Sequence, residues 1–270
     1  MSNIAQAFRN GKAFIGFVTG GDPGIEKTKE FVREMVRAGA DLVEIGIPFS
    51  DPVAEGPVIQ EANIRALNAG TTVKQLFTLV QDLRKETSVP LAFLTYLNPV
   101  FHYGYDAFFK RCRDCGLDGI IIPDLPFEEQ AEAREAAARY GVDLISLIAP
   151  TSRGEPSLRS VEDTDSRVKE IAKAATGFIY IVSSMGVTGV RGEITTDLAS
   201  IVGAIRSVTS VPAAIGFGIH TPSQAAQMAR VADGVIVGSA IVKIIAEHGG
   251  AAGAHIYRYV KEMKEAVGKN

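Results

Sequence analysis

Two carboxylates lie close together in the sequence, in a pattern that acid–base chemistry could use. Glu44 is a charged residue in the middle of an otherwise apolar segment, DLVEIGIPF at 41–49. Burying an unpaired carboxylate is costly, so it is usually kept only when it is paired or functional. A buried Glu44 with a raised pKa could donate a proton, while Glu55, in a more polar loop, would stay ionised. The ordinary alternatives are a hydrogen-bonded structural Glu44 and a solvated Glu55.

Three glycine-rich turns follow later apolar runs, GVTG at 186–189, GFGI at 216–219 and GSAIV at 238–242. Each turn alone is weak evidence, since glycine ends many strands. Together they could present backbone N–H groups and a helix N-terminus to an anion. They predict a phosphorylated small substrate, and Ser239 would add a hydroxyl donor.

Other residues at the same predicted rim would shape the rest of the site. The Tyr180 hydroxyl could serve catalysis or could belong to ordinary barrel packing. Asp124, in PDLP, is expected to order the turn that follows it. The apolar rim residues suggest that the other half of the substrate is flat and hydrophobic. These are Phe17, Leu94, Tyr96, Ile121 and Phe217.

Residue types that other mechanisms need are missing from the expected positions. No lysine falls inside a predicted strand, so a Schiff-base mechanism lacks its nucleophile. The histidines are scattered and none pairs with carboxylates at metal-ligand spacing, so we expect no metal. Cys112 and Cys115 form a C-x-x-C without a second pair, and we interpret them as unrelated cysteines of a helix ending at Gly116. Cofactor-free acid–base catalysis remains.

Short apolar runs that alternate with amphipathic segments must position these residues. Eight such runs predict a parallel sheet covered by helices, closed as a single (β/α)8 TIM barrel with extra short helices. On the second strand, Leu42, Glu44 and Gly46 should face the barrel interior. An open doubly wound sheet is the alternative, disfavoured because TGGDPG lacks the G-x-G-x-x-G spacing. The predicted strands are 13–19, 42–47, 90–96, 119–123, 143–149, 178–184, 213–218 and 234–239.

The length, composition and net charge of the chain fit an enzyme that acts on small molecules. The chain has 270 residues, 46% of them hydrophobic, and a formal net charge of -3. We therefore expect one domain spanning 1–270, with neither nucleic acid nor a membrane as partner. The N-terminal segment has no apolar core of signal-peptide length, which predicts a cytoplasmic protein.

The longest motif run resembles a known family. VEIGIPFSDPVAEGPVIQ at 43–60, with FVTGGDP before it and YIVSSMGVTG, GFGI and GSAIVKII after it, is similar to the tryptophan synthase alpha subunit. The resemblance covers nearly the whole chain. It implies a lyase that cleaves indole-3-glycerol phosphate to indole and glyceraldehyde 3-phosphate. It also implies that indole passes to a beta subunit carrying pyridoxal phosphate in an α2β2 assembly, with no cofactor in this chain.

The resemblance also implies roles for individual residues. Glu44 matches the family's catalytic glutamate, which protonates indole C3 and takes a proton from the 3′-hydroxyl. Glu55 stands where the family usually has an aspartate that accepts the indole N1–H, and Tyr180 matches its active-site tyrosine. The phosphate and ring-binding positions match Gly189, Phe217, Gly218, Gly238 and Ser239. The indole pocket matches Phe17, Leu94, Tyr96 and Ile121.

Asp51, Pro52, Asn98 and Pro99 correspond to positions that face the beta subunit in the family. Two features leave the function open: Glu55 stands in place of aspartate, and the polar stretch at 152–166 is longer than the family's general pattern. The chain could therefore be a catalytically weak subunit that mainly binds and activates a beta partner. It could also be a stand-alone lyase that releases free indole.

Overall fold

The strands form a closed parallel barrel. The computed structural model describes residues 3–153, 165–183, 197–216 and 218–268. The strands are β1 (Ala13–Thr19), β2 (Leu42–Gly46), β3 (Leu91–Leu94), β4 (Gly119–Ile121), β5 (Asp143–Ile148), β6 (Ile179–Val182), β7 (Ala213–Gly216) and β8 (Gly234–Val237). They follow one another in chain order, and β8 pairs with β1. The predicted (β/α)8 barrel is confirmed, and closure rules out the open sheet.

Helices surround the barrel and link its strands. They are α1 (Ile25–Arg37), α2 (Pro57–Asn68), α3 (Val73–Leu83), α4 (Leu97–Tyr103), α5 (Tyr105–Cys115), α6 (Ala131–Tyr140), α7 (Ser166–Ala174), α8 (Leu198–Arg206), α9 (Pro222–Val231), α10 (Ser239–His248) and α11 (Gly253–Gly268). Two helices follow each of β2, β3 and β8, which supplies the expected extra elements. Within the described ranges, none of these helices is both long and apolar enough to cross a bilayer.

Side-chain alternation along the strands divides the core into an inner and an outer layer. Leu42 packs inside the barrel with Ile15 and Ile121, whereas Val43 and Ile45 pack outward among the helices. This confirms the predicted facing of β2. Because both faces are buried, the strands read as continuous apolar runs instead of alternating ones.

A short 3-10 helix, Ile4–Phe8, lies across the N-terminal end of the barrel. Ile4 is fully buried and packs in the inner layer, and the Phe8 ring lies 5.8 Å from that of Phe178. A Cβ added at Gly119 would come within 3.2 Å of Ile4. These side chains therefore fill the barrel interior at its N-terminal end.

Most strands end earlier than their apolar runs predicted. The sixth was predicted at 178–184 and the eighth at 234–239, but these strands end at Val182 and Val237. Ser183 lies beyond the end of β6, and Gly238 and Ser239 lie beyond the end of β8, where the next helix begins. Ser239, predicted at a strand end, is the first residue of α10.

The C-x-x-C lies on α5, as predicted. Cys112 and Cys115 are free and buried, and burial raises the pKa of both thiols, that of Cys115 to about 11. Gly116 takes a left-handed conformation just beyond the last helical residue. The two cysteines are therefore buried core residues of a helix, as the ordinary interpretation expected.

Candidate active site

A cavity at the C-terminal ends of the strands brings together most of the predicted site residues. Both Glu44 and Glu55 line it. The other predicted residues in its wall are Phe17, Leu94, Ile121, Tyr180, Gly218, Gly238 and Ser239. The remaining wall is mostly apolar and includes Ile59, Leu147 and Ile236, which the sequence did not single out. Polar groups in an apolar cavity at this end of a barrel are typical of an active site.

Glu44 is the buried acid of the cavity. It lies on β2 opposite Phe17 of β1 and Ala92 of β3, and only 1% of it is exposed. Burial raises the pKa of its carboxyl to about 8. Among the described residues, none hydrogen-bonds to its Oε1. Glu44 is therefore protonated at neutral pH, with an oxygen left for a ligand.

Glu55 is buried too, so it is not the solvated loop acid of the ordinary alternative. It is 6% exposed, and burial raises the pKa of its carboxyl to about 7. Hydrogen bonds from Tyr96 and Asn63 oppose this rise, and the nearby charge of Asp124 adds to it. Glu55 thus has more polar neighbours than Glu44, as predicted, yet it is only partly ionised at neutral pH.

Tyr96, predicted for the indole pocket, lies behind Glu55 and is absent from the described cavity wall. Its hydroxyl accepts a hydrogen bond from the Ala54 N–H at 2.9 Å and donates one to Glu55. Its ring centroid lies 5.4 Å from that of Phe49. Tyr96 therefore holds the loop that carries Glu55.

Tyr180 projects into the barrel from β6 and borders the cavity. A Cβ added at Gly216 would come within 2.5 Å of its hydroxyl, so the ring needs a glycine beside it. Burial and the nearby Glu44 charge raise the pKa of the phenol well above its usual value. Tyr180 therefore remains a neutral phenol.

Backbone groups offer an anion site at one side of the cavity. Gly218 has a left-handed φ of 80°, while Gly238 and Ser239 form the N-terminus of α10. Among the described wall residues there is no lysine or arginine. An anion here would therefore be held by N–H groups and the helix dipole. Gly189 and Phe217, predicted for the same site, lie outside the described residues.

The four predicted partner-facing residues lie on the rim outside the cavity. Asp51 and Asn98 are exposed, and Pro52 and Pro99 are half-buried. Large apolar side chains are exposed beside them, Val53 at 72% and Phe101 at 65%. Exposed apolar groups next to polar ones are typical of a protein interface.

Asp124 was expected to order the turn after it, but it acts on the preceding βα unit. Its carboxylate accepts a hydrogen bond from the Leu97 N–H at 2.8 Å, at the start of α4. It thereby fixes the rim segment that carries Asn98. The contact joins two loops that are distant in sequence, so the PDLP motif gave no sign of it.

The long polar stretch and the expected absence of a metal site can be compared with the structure only over the described residues. In the long polar stretch at 152–166, residues 154–164 lie outside the description, and its ends are joined by an ion pair of 2.8 Å between Arg153 and Asp165. In the described ranges no group of three or more His, Cys, Asp or Glu side chains could hold a metal ion.

Comparison with known proteins decides the family. The family model for the tryptophan synthase alpha chain matches residues 4–268. The tryptophan synthase alpha chain of Lacticaseibacillus casei is 51% identical over 267 residues, covering 99% of this chain and 96% of that protein. The chain belongs to the tryptophan synthase alpha chain family. Members of this family are lyases of tryptophan biosynthesis that cleave indole-3-glycerol phosphate, and the predicted family, fold and activity are confirmed.

Solved structures of tryptophan synthase alpha chains have the same fold. The subunit from Legionella pneumophila superposes with a TM-score of 0.84 at 32% identity, with full coverage of both chains. A chain of a tryptophan synthase complex from Pyrococcus furiosus gives a TM-score of 0.81 at 30% identity, covering 94% of this chain and 99% of that one. The barrel is thus retained where two thirds of the residues differ.

Proposed function

We propose that Glu44 and Glu55 together carry the cleavage of indole-3-glycerol phosphate. The observation that supports this is their shared position in one cavity, where burial raises the pKa of each. Protonated Glu44 gives its proton to indole C3, and the positive charge that develops on the ring makes N1–H acidic, so that it donates a strong hydrogen bond to the Glu55 carboxylate. Each acid then works near its own pKa, where acid–base catalysis is most efficient.

The same Glu44 carboxylate completes the reaction. Having lost its proton to C3, it takes the proton of the 3′-hydroxyl on the side-chain carbon bound to the ring. The bond between that carbon and C3 breaks, its electron pair returns to the ring as the N1 charge is neutralised, and the carbon becomes an aldehyde. The products are indole and glyceraldehyde 3-phosphate, and Glu44 is again protonated.

The other residues of the cavity bind the substrate. Phe17, Leu94 and Ile121 pack against the indole ring, and neutral Tyr180 serves as a wall and hydrogen-bond donor beside Glu44. The phosphate is bound by backbone N–H groups at the side of the cavity formed by Gly218 and the N-terminus of α10. Its proposed ligands are Gly218, Gly238 and Ser239, together with Gly189 and Phe217 from the family pattern.

The chain is further proposed to work in an α2β2 assembly in the cytoplasm. A beta subunit that carries pyridoxal phosphate would receive the indole, and this chain would need no cofactor of its own. Support comes from the family, from the likeness to a chain of a tryptophan synthase complex, and from the exposed apolar side chains Val53 and Phe101. The docking rim would include Asp51, Pro52, Asn98 and Pro99.

Indole formation from indole-3-glycerol phosphate tests the proposal, first with the chain alone and then with a beta subunit added. We expect measurable turnover alone and faster turnover in the mixture. No indole in either state would contradict catalysis and favour a binding subunit. Fast turnover alone, unchanged by the partner, would favour a stand-alone lyase.

A further inference from the structure

His220 lies outside the described cavity wall but is hydrogen-bonded to it. Its ring Nδ1 lies 2.9 Å from the carbonyl oxygen of Gly218, which lines the cavity. A carbonyl oxygen only accepts hydrogen bonds, so Nδ1 must carry the proton and donate. The imidazole therefore sets the direction of the Gly218 carbonyl.

The peptide unit between Gly218 and Ile219 transmits this direction to the cavity. In a planar trans peptide, the N–H of Ile219 points opposite to the Gly218 carbonyl, hence away from His220. Ile219 borders the cavity although its side chain packs in the outer core, so its main chain is the part that faces the cavity. Within the described residues, no backbone carbonyl accepts a hydrogen bond from this N–H.

His220 is itself held at both ends of its main chain. Its N–H donates to Gln224 Oε1 at 3.0 Å, and its carbonyl accepts from the Tyr259 hydroxyl at 3.0 Å. Gln224 caps α9 through Thr221, and Tyr259 belongs to α11. Two helices thus hold the main chain of the residue whose imidazole contacts the cavity wall.

We propose that His220 is a positioning residue of the phosphate site. Glycine at 218 has a left-handed φ and leaves the following peptide free to rotate. The Nδ1–H bond removes that freedom and aims the Ile219 N–H at the phosphate. It also polarises the peptide, which strengthens the N–H as a donor. This inference rests on the proposed binding of phosphate at Gly218, Gly238 and Ser239.

Two substitutions separate the donor from the bulk of the ring. His220→Asn places an amide nitrogen near the Nδ1 position, whereas His220→Phe keeps a ring and loses the donor. Binding of glycerol 3-phosphate to the full chain is measured by calorimetry, and KM and kcat with a beta subunit present. We expect His220→Phe to weaken binding about 3- to 10-fold, the effect of one hydrogen bond. KM should rise by a similar factor with less than about a twofold change in kcat.

The order of the variants in their affinity for glycerol 3-phosphate decides the test. His220→Asn should lie nearer to the wild type than His220→Phe, and Tyr259→Phe should shift binding in the same direction as His220→Phe. The exposed histidine at the end of α10 provides a control, since His248→Phe should change nothing. Unchanged binding by His220→Phe, or weaker binding by Asn than by Phe, would overturn the inference.

Failure of the proposed function gives a different result. Suppose that the wild-type chain turns over substrate and binds glycerol 3-phosphate, and that His220→Phe does both equally well. Only the proposed role of His220 would then be overturned. A wild-type chain that neither binds the phosphate ester nor forms indole would overturn both proposals. If His220→Phe does not fold, Tyr259→Phe carries the test, and unchanged binding by that variant counts against the inference.

Discussion

The Tyr96 hydroxyl joins the main chain of Ala54 to the carboxyl of Glu55. It accepts a hydrogen bond from the Ala54 N–H at 2.9 Å and donates one to Glu55. The Asn63 amide donates to Glu55 Oε2 at 3.4 Å. These contacts hold a carboxyl at the position where the sequence resemblance implies the shorter aspartate, so the surroundings fit the longer side chain.

Glu55→Asp should therefore lower activity although it restores the usual family residue. The carboxyl would move away from Tyr96 and Asn63 by about one methylene, and a displacement near 1 Å can cost on the order of 100-fold in rate. We expect kcat/KM to fall about 10- to 100-fold, and further in Glu55→Gln, which keeps the length but loses the charge. Steady-state indole formation measures both. An aspartate variant as fast as the wild type would show that the loop adapts freely.

The pH dependence of kcat/KM should be a narrow bell. Glu55 must be ionised, so activity rises as the pH passes about 7, and Glu44 must be protonated, so activity falls as the pH passes about 8. Because the two acids share a cavity, the two limbs of the profile give apparent pKa values that belong to the pair and not to either acid alone. Residual activity of Glu55→Gln should lack the acidic limb. A flat profile between pH of about 6 and 9 would contradict the two pKa assignments.

Gly216→Ala should damage the site through Tyr180. The added Cβ would lie 2.5 Å from the phenol oxygen, and relieving such overpacking typically costs about 1–3 kcal/mol. We expect a lower free energy of unfolding and a large loss of kcat as the ring shifts. Gly203→Ala, on the exposed face of α8 with no atom within 4 Å, is the control and should gain about 0.5–1 kcal/mol. Equal effects of the two would refute the close packing.

Polar substitutions on the rim should weaken the beta partner without changing the barrel. Val53→Ser and Phe101→Ser each remove an exposed apolar side chain beside the predicted docking residues, and loss of such an anchor costs about 1–2 kcal/mol of binding. Titration of the beta subunit, followed by stimulation of indole formation, measures this. Lys85→Ser, at the opposite end of the barrel beyond α3, is the control. Unchanged affinity in both rim variants would place the interface elsewhere.

The fold and the position of the main acid were readable from the sequence because they depend on local pattern. Eight apolar runs and period-two alternation on β2 were enough to place Glu44 inside a barrel. Glycine turns after the last strands predicted the proposed anion site because helix N-termini gather at that end.

The environment of Glu55 was not readable, because it is built from elements far apart in sequence. Its carboxyl accepts hydrogen bonds from Tyr96 beyond β3 and from Asn63 of α2, and the charge of Asp124 beyond β4 raises its pKa. Asn63 could have been noticed as a polar residue on the buried face of an amphipathic helix. Nothing local distinguished the Tyr96 ring as a hydrogen-bonding group instead of a wall of the cavity.

Indole formation by Glu44→Gln tests the central claim, that a buried protonated acid cleaves the substrate. The pKa of the Glu44 carboxyl is about 8 in the folded state, above the ordinary 4.5. The unfolded chain therefore loses this proton first, and the free energy of unfolding of the wild type falls as the pH rises from about 4.5 to about 8. The glutamine variant lacks this group, so its free energy of unfolding falls less. The variant should thus fold at least as stably near pH of about 8 and lose nearly all turnover, while still binding glycerol 3-phosphate. Turnover within about tenfold of the wild type, by a folded Glu44→Gln chain, would contradict the account.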